Sequence, residues 1–121
     1  MEGIEKKKIK WKWNGWDGKY EGQVKDNQPH GLGKWVPDGG KDTVEGEWKD
    51  GQLNGKAVEN WNGSRDEYEA KDGKYNGKLI TYYNDGSRSE IEFKDGKEHG
   101  RWRQYNKDGV ITEDAICENG Y

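Results

Sequence analysis

Short segments in which apolar and polar residues alternate recur along the whole chain, and each ends at a turn dipeptide. Trp11-Lys-Trp13 alternates before Asn14-Gly15, and Val44-Glu-Gly-Glu-Trp-Lys49 alternates before Asp50-Gly51. Strict alternation places every second side chain on the same side of a β-strand, and Asn-Gly and Asp-Gly favour two-residue hairpin turns. No segment has a helical period. The pattern therefore predicts antiparallel β-hairpins along the chain.

The turns recur with a single period of 22 to 24 residues. A first turn column, preceded in each case by Asp or Asn, consists of Asn27, Gly51, Gly73, Gly96 and Gly120. A second turn column consists of Gly15, Gly39, Gly63, Gly86 and Gly109, and a further glycine column consists of Gly31, Gly55, Gly77 and Gly100. A period of this length indicates a repeat array in which each unit is one supersecondary element, here a hairpin.

The predicted fold is all-β, an elongated single-layer antiparallel β-sheet of repeated hairpins. Residues 1–10 have little apolar content and are predicted to form an N-terminal basic arm before a repeat domain over 11–121. The domain divides into a cap strand at 11–15, hairpin repeats at about 20–39, 44–63, 66–86 and 89–109, and a terminal strand at 111–118. Because unpaired edge strands seek partners, self-association through a sheet edge or the aromatic face is also a prediction.

The alternation gives the predicted sheet two different faces. One, which we name the charged face, carries Glu21, Glu45, Glu67, Glu90 and Asp114 together with Lys25, Lys49, Lys71 and Lys94. The other, the packing face, carries Val24, Trp48, Ala70, Phe93 and Cys117 together with Gly22, Gly46, Tyr68, Ile91 and Ala115. Glycine inside a strand marks the close approach of a bulky group. We therefore expect aromatic rings to lie over the glycines.

Composition fits a thin fold. The chain has 121 residues, of which 37% are charged and 28% hydrophobic, but seven Trp and seven Tyr supply large apolar area. Residues 1–13 hold five lysines and two glutamates, a charge of +3, so the other residues carry 16 minus 22, or −6. This acidic body argues against nucleic acid as a partner. With no signal peptide visible and a single cysteine, the chain is predicted to be cytoplasmic.

No residue stands out as catalytic, because the polar residues recur once per unit. His30 and His99 occupy a position that holds Asn54 and Asn76 in the middle units, so all four are interpreted as hydrogen-bonding turn residues. Corresponding acids lie roughly 10 Å apart, too far to share one ion, so cross-strand ion pairs are predicted instead. Cys117 is interpreted as a small apolar filler. We predict a non-enzyme without catalytic residues, metal or cofactor.

Two segments carry a family resemblance. Tyr20-Glu-Gly-Gln-Val-Lys-Asp-Asn-Gln-Pro-His-Gly-Leu-Gly33 and Val44-Glu-Gly-Glu-Trp-Lys-Asp-Gly-Gln-Leu-Asn-Gly55 closely resemble MORN repeats, in which aromatic-x-Gly-x-aromatic, a turn and Gly-x-Gly follow one another. Residues 72–109 look more like a variant found in bacterial proteins labelled antitoxin-like. The resemblance implies an elongated sheet of hairpins and a non-catalytic scaffold that binds protein partners, with phospholipid binding proposed for some members.

The leading functional hypothesis is a scaffold that binds a protein or peptide through the aromatic sheet face. Its candidate contact residues are Trp35, Trp48, Tyr68, Tyr82, Phe93, Trp102 and Tyr105. One alternative is an anionic phospholipid-binding module, with candidate lipid-binding residues Lys6, Lys7, Lys8, Lys10, Trp11 and Trp13. A second alternative is an antitoxin-like or immunity-type inhibitor of a partner protein.

Overall fold

The computed structural model describes residues 4–117, apart from the side chains of Ile4 and Cys117. Ten strands form one antiparallel sheet in which the spatial order follows the chain order, so the predicted all-β sheet of hairpins is confirmed. The strands are β1 (Ile4–Trp13), β2 (Trp16–Lys25), β3 (Gln28–Pro37), β4 (Thr43–Lys49), β5 (Gln52–Trp61), β6 (Ser64–Lys71), β7 (Lys74–Tyr82), β8 (Arg88–Lys94), β9 (Lys97–Tyr105) and β10 (Ile111–Cys117).

The N-terminal region differs from the prediction. Residues 4–10, expected to be a basic arm, belong to β1, which pairs with β2 from Ile4 opposite Lys25 to Trp13 opposite Trp16. The expected cap strand at 11–15 is therefore the end of a full hairpin. Main-chain pairing with β2 extends this far because lysine side chains are well tolerated on an exposed edge strand. Residues 1–3, and Glu118 of the expected terminal strand, lie outside the described residues.

The predicted tight turns are confirmed. Asp50 and Gly51 have φ angles of 51° and 84°, and Asp26 and Asn27 have φ angles of 53° and 62°. Two successive positive φ angles define the type I′ turn, which matches the right-handed twist of the strands that it joins. This explains why Asp or Asn precedes every residue of the first turn column.

The first glycine in the second strand of each hairpin makes a bulge. This bulge lies opposite a polar side chain of the first strand. In the second unit, Glu47 Oε2 accepts a hydrogen bond from Lys56 N at 2.8 Å, and a Cβ at Gly55 would overlap that carboxylate. In the first unit, Gln23 Oε1 accepts from Leu32 N at 2.7 Å. These side chains therefore satisfy main-chain groups released by the bulge. The predicted ion pairs lie beside them, as between Lys34 and Glu45 at 3.9 Å.

The tight turns at Gly51, Gly73 and Gly96 are also bonded to the preceding unit. Gly51 N donates to Pro29 O at 3.0 Å, and Asp50 N donates to His30 Nδ1 at 3.4 Å. The equivalent bonds in the next units are Gly73 N to Leu53 O (2.9 Å), Asp72 N to Asn54 Oδ1 (3.1 Å), Gly96 N to Tyr75 O (2.9 Å) and Asp95 N to Asn76 Oδ1 (3.3 Å). The interpretation of His30, Asn54 and Asn76 as turn-binding residues is confirmed, and the bonds couple neighbouring repeats.

Aromatic rings cover glycines on the packing face of the first half, as predicted. A row of small residues crosses β2 to β5 as Gly22, Gly33, Gly46 and Ala57. The Tyr20 ring lies against Gly33, and its hydroxyl donates to Gln23 O at 2.6 Å. Because the row has no bulky side chain, the rings lie directly on the main chain.

The twist of the sheet brings β1 across the packing face. Trp11 Nε1 donates to Gly51 O at 3.2 Å in the β4–β5 turn, and the ring centroids of Trp13 and Trp48 lie 6.2 Å apart. A right-handed twist of about 20° to 25° per strand accumulates over the intervening strands and produces this crossing. The core consists of Tyr20, Val24, Trp35, Val44, Trp48, Leu53, Ala57, Tyr68 and Ala70, with Ile9, Trp11, Trp13, Tyr75 and Leu79 packed against it.

The second half of the packing face is built differently. The row that begins with the small residues continues as Tyr68, Leu79, Ile91, Trp102 and Ala115. The neighbouring row, which holds Tyr20, Trp35 and Val44 in the first half, continues as Glu59, Asp66, Thr81, Ser89 and Gln104. In the first half of the packing face, aromatic rings therefore lie over glycines. In the second half, a row of mostly bulky side chains lies beside a row of polar side chains.

We predict that Gly33→Ala destabilises the protein by about 1–3 kcal/mol, because the added methyl group overlaps the Tyr20 ring. The measurement is chemical denaturation followed by tryptophan fluorescence. Leu32→Ala, at an exposed neighbour on the charged face, is the control and should change the free energy of unfolding by no more than about 0.5 kcal/mol. Equal stability of the two variants would show that the ring does not depend on the missing Cβ.

A cleft lined by tryptophans and carboxylates

Three of the predicted contact residues belong to the core. Trp35, Trp48 and Tyr68 are buried on the packing face. Trp35 Nε1 donates to Trp11 O at 2.8 Å, and Trp48 Nε1 donates to Gly33 O at 3.2 Å. The expectation that these side chains offer broad contact area to a partner is corrected, because the twist of the sheet lets β1 and neighbouring rings cover them.

Two other predicted residues lie on the opposite face. Tyr82 and Tyr105 occupy charged-face positions, where the Arg65 guanidinium carbon is 4.9 Å from the Tyr82 ring centroid and that of Arg88 is 3.9 Å from the Tyr105 ring centroid. Phe93 and Trp102 are half-buried on the packing face, with the Phe93 ring 4.9 Å from that of Tyr75. The structure therefore does not bring the seven residues into one stripe, because side-chain parity separates them.

A cleft remains open at the end of the packing face where the β1–β2 turn, the β3–β4 connection and the end of β5 meet. Its volume is about 370 Å³. Trp16 and Trp61 keep 69% and 38% of their surface exposed here, while the buried Trp35 forms part of the wall. We define the Trp–acid cleft by the lining residues Trp13, Trp16, Trp35, Trp61, Asp38, Asp42 and Glu59.

The sequence analysis did not single out Trp16 and Trp61, although a local signal exists. Trp16 directly follows the turn Asn14-Gly15, and Trp61 directly precedes the turn Asn62-Gly63. Strand alternation puts both side chains on the packing face, as it does those of the core residues. They lie closer to the end of the sheet than the last row of covered residues. An aromatic residue beside the second turn column would therefore have indicated this end of the sheet.

A second cleft of about 210 Å³ adjoins the first one. Trp13 and Glu59 line both clefts. The second cleft is otherwise bordered by the β1–β2 turn and by side chains of β5 to β7, among them Tyr68, Lys74 and Tyr75. Trp13 and Glu59 thus stand where the two clefts meet.

Glu59 belongs to a partly buried acidic network. It lies directly opposite Asp66 in the sheet. Tyr68 Oη donates to Glu59 Oε1 at 2.6 Å, while Asp66 accepts from Trp61 Nε1 at 3.1 Å and from Thr81 Oγ1 at 2.7 Å. Neutral donors hold both carboxylates, and no ion pair to either is found among residues 4–117. Two like charges placed opposite each other destabilise a strand pair.

The network shifts the protonation equilibria of its members. Burial raises the pKa of Glu59 above its ordinary value, the hydrogen bond from Tyr68 opposes this rise, and the charges of Asp66 and Asp42 add to it. Burial, followed by the charges of Glu59 and Asp66, raises the pKa of Tyr75 to about 12. Burial is the larger cause of both shifts, and the neighbouring carboxylates add to it.

The structure separates the candidate lipid-binding residues. Lys6, Lys8 and Lys10 lie on the charged face of β1, where Lys8 Nζ is 4.0 Å from Glu21 Oε2. Lys7, Trp11 and Trp13 lie on the packing face, and both tryptophans are half-buried. Three of the four exposed lysines therefore lie on the face opposite the tryptophans.

The described part of the chain offers no metal centre. No group of three or more His, Cys, Asp or Glu residues between residues 4 and 117 is arranged to hold a metal ion. Over the same residues the structure contains no membrane-spanning helix. What the cleft presents is an aromatic and acidic surface.

We predict that Glu59→Gln stabilises the protein at neutral pH. A raised carboxyl pKa means that the folded state binds the proton more tightly, so stability falls as pH rises from the ordinary glutamate value towards the raised one. The glutamine keeps an acceptor for Tyr68 but removes the charge. The gain in melting temperature over wild type should therefore be near zero at pH about 4 and positive at neutral pH. Glu69→Gln, on the exposed charged face, is the control, and a gain that does not grow with pH would contradict the prediction.

Comparison with known proteins agrees with the repeat architecture. The family model for the MORN repeat matches residues 20–41, 45–63 and 92–101. The unit predicted at 66–86 lies outside these matches, and it has Tyr68 and Leu79 where the first unit has Gly22 and Gly33. A search of curated proteins found no match. MORN repeats are generally non-catalytic modules that bind proteins or membranes, and this chain contains MORN repeats at the three matched segments of its open sheet of hairpins.

Proposed function

We propose that this protein is a non-catalytic scaffold that binds a protein or peptide partner in the Trp–acid cleft. The observation that carries the proposal is the exposure of two tryptophans on the face that otherwise forms the core. The match to MORN repeats supports a binding module as the general class of protein. The cleft supports this part of the chain as the contact surface for the partner.

Tryptophan exposure supports an interface here. Trp16 and Trp61 flank a concave surface whose walls, including Trp13 and Trp35, are already held by the core. Tryptophan is enriched among the residues that dominate binding energy, and such residues lie in preformed pockets near the centre of an interface. A partner side chain that enters the cleft would bury indole surface without requiring the sheet to rearrange.

The membrane alternative rests on a different surface. Lys6, Lys8, Lys10 and Lys12 are exposed on the charged face of the edge strand β1. Nearby acids reduce their net attraction for anionic lipid, since Lys12 Nζ lies 3.7 Å from Asp17 Oδ1 and Lys8 approaches Glu21. Without accessible aromatic residues on the same side, this surface supports only an electrostatic contact, so we favour the cleft.

We predict that the Trp16→Ala, Trp61→Ala double variant loses partner binding. The complex is first captured by photo-crosslinking from a residue placed at position 60, which lines the cleft without being one of the two anchors. The partner is then purified and its affinity measured by calorimetry. Loss of two anchors of about 2 kcal/mol each would weaken binding by at least about thirtyfold.

Leu32→Ala is the matched control, because Leu32 is a large exposed side chain on the charged face. It should bind the partner as wild type does. If the double tryptophan variant keeps wild-type affinity, the cleft is not the binding site. Sedimentation with anionic vesicles tests the alternative, and it would be favoured by binding that Lys→Gln changes at positions 6, 8 and 10 abolish.

A further inference from the structure

We propose that the Trp–acid cleft takes a basic segment of a protein partner and receives an arginine side chain between its tryptophans and its carboxylates. The inference rests on the proposed function and adds the chemistry of the partner. Charge, ring geometry and size of the cleft each point to this ligand.

The Trp–acid cleft concentrates negative charge without a cation in its own described lining, while Lys74 lines the adjoining cleft that shares Glu59. Asp38, Asp42 and Glu59 line the Trp–acid cleft, and its described lining includes no lysine, arginine or histidine. On the charged face, by contrast, acids meet cations of the neighbouring strands, as where Arg101 Nε lies 3.5 Å from Asp114 Oδ1. The packing-face carboxylates therefore remain available to a cation from outside, and complementary charge across an interface selects a partner.

Glu59 is positioned to meet such a cation. Its Oε1 accepts from Tyr68 Oη, which orients the carboxylate, while Oε2 accepts no hydrogen bond from the described residues. Asp66, directly opposite, already accepts from Trp61 and Thr81. A guanidinium that donates to Glu59 Oε2 would form a charge-assisted bond and relieve the repulsion between these two acids.

The indole rings provide the second half of the site. A cation over a tryptophan face is more strongly attracted than one over tyrosine or phenylalanine. The protein itself stacks arginines on rings elsewhere, with the Arg88 guanidinium carbon 3.9 Å from the Tyr105 ring centroid. Arginine fits better than lysine because its planar group can stack on an indole and donate two parallel hydrogen bonds to a carboxylate.

The size of the cleft favours a side chain with its flanking residues. Its volume of about 370 Å³ lies near the lower end of the range for small-molecule pockets. One long side chain and a short stretch of extended backbone would fill it, with Trp16 covering the entry. An acidic lipid headgroup would instead be repelled by the three carboxylates.

The test uses the full chain and two pentapeptides, both acetylated and amidated, with a central arginine or its neutral isostere citrulline between alanines. Binding is followed by NMR through the indole Nε1–H signals of Trp16 and Trp61, with peptide up to millimolar concentrations. We expect saturable shifts with the arginine peptide and an affinity about tenfold lower with citrulline, since the cation–π and charge-assisted contacts are lost.

The variant pair Asp42→Asn, Glu59→Gln should weaken binding of the arginine peptide about tenfold. The control pair Asp72→Asn, Asp95→Asn removes the same charge at two tight turns, where Asn is equally suited to a positive φ, and should leave affinity unchanged. Equal affinity for both peptides, or an unaffected Asp42→Asn, Glu59→Gln variant, would overturn arginine recognition.

The two proposals fail in different ways. If capture of the protein partner still requires Trp16 and Trp61 while the two peptides behave alike, the cleft binds a partner but arginine is not its ligand. If the tryptophan variant also keeps its partner, the proposed function is wrong as well. Phosphatidylserine vesicles that compete with the arginine peptide for the indole signals would assign the cleft to a membrane and overturn the inference.

Discussion

The first half of this sheet depends on the close contact between aromatic rings and a row of residues with little or no side chain. Gly22, Gly33, Gly46 and Ala57 leave the main chain open, so Tyr20 and Trp48 lie on it and bond to its carbonyl groups. A single layer has no second sheet or helix to cover it, and here its own rings do so. The twist of the sheet then brings β1 over these rings, where Trp11 bonds to Gly51 and Trp13 packs against Trp48.

Hydrogen bonds at the turns couple each repeat to the one before it. The tight turns at Gly51, Gly73 and Gly96 each place two N–H groups against the second strand of the preceding hairpin. A main-chain carbonyl and the side chain of His30, Asn54 or Asn76 accept them there. Each unit contacts mainly its neighbours, as expected of a repeat protein. His30 occupies its position for this reason, and Gln23 and Glu47 occupy theirs because they accept hydrogen bonds from main-chain amides at the bulges.

The Trp–acid cleft occurs where the ring-over-glycine packing ends. From β5 onward the row of Tyr20, Trp35 and Val44 becomes Glu59 and Asp66, and the two carboxylates depend on Tyr68, Trp61 and Thr81 for their hydrogen bonds. Burial of paired like charges opposes folding. Retention of a destabilising acid beside exposed indoles is consistent with selection for binding at the expense of stability.

The sequence by itself determined the repeat period, the hairpins, the turn residues and the two faces, because these follow from local rules: strand alternation and the positive φ angles that Asp, Asn and Gly accept. It also predicted the turn-bonding position of His30, which the structure confirms. For His99 the same role stays a prediction, because the turn at Gly120 lies outside the described residues. Only the tertiary structure decided which rings are covered, since Trp35 and Trp48 are buried by β1 and Trp16 is not. It also placed Tyr82 and Tyr105 under arginines of the charged face. The burial of Trp35 and Trp48 depends on twist accumulated over several strands, which brings together residues far apart in the chain. The contacts of Tyr82 and Tyr105 depend instead on strand register, because each ring lies directly opposite its arginine.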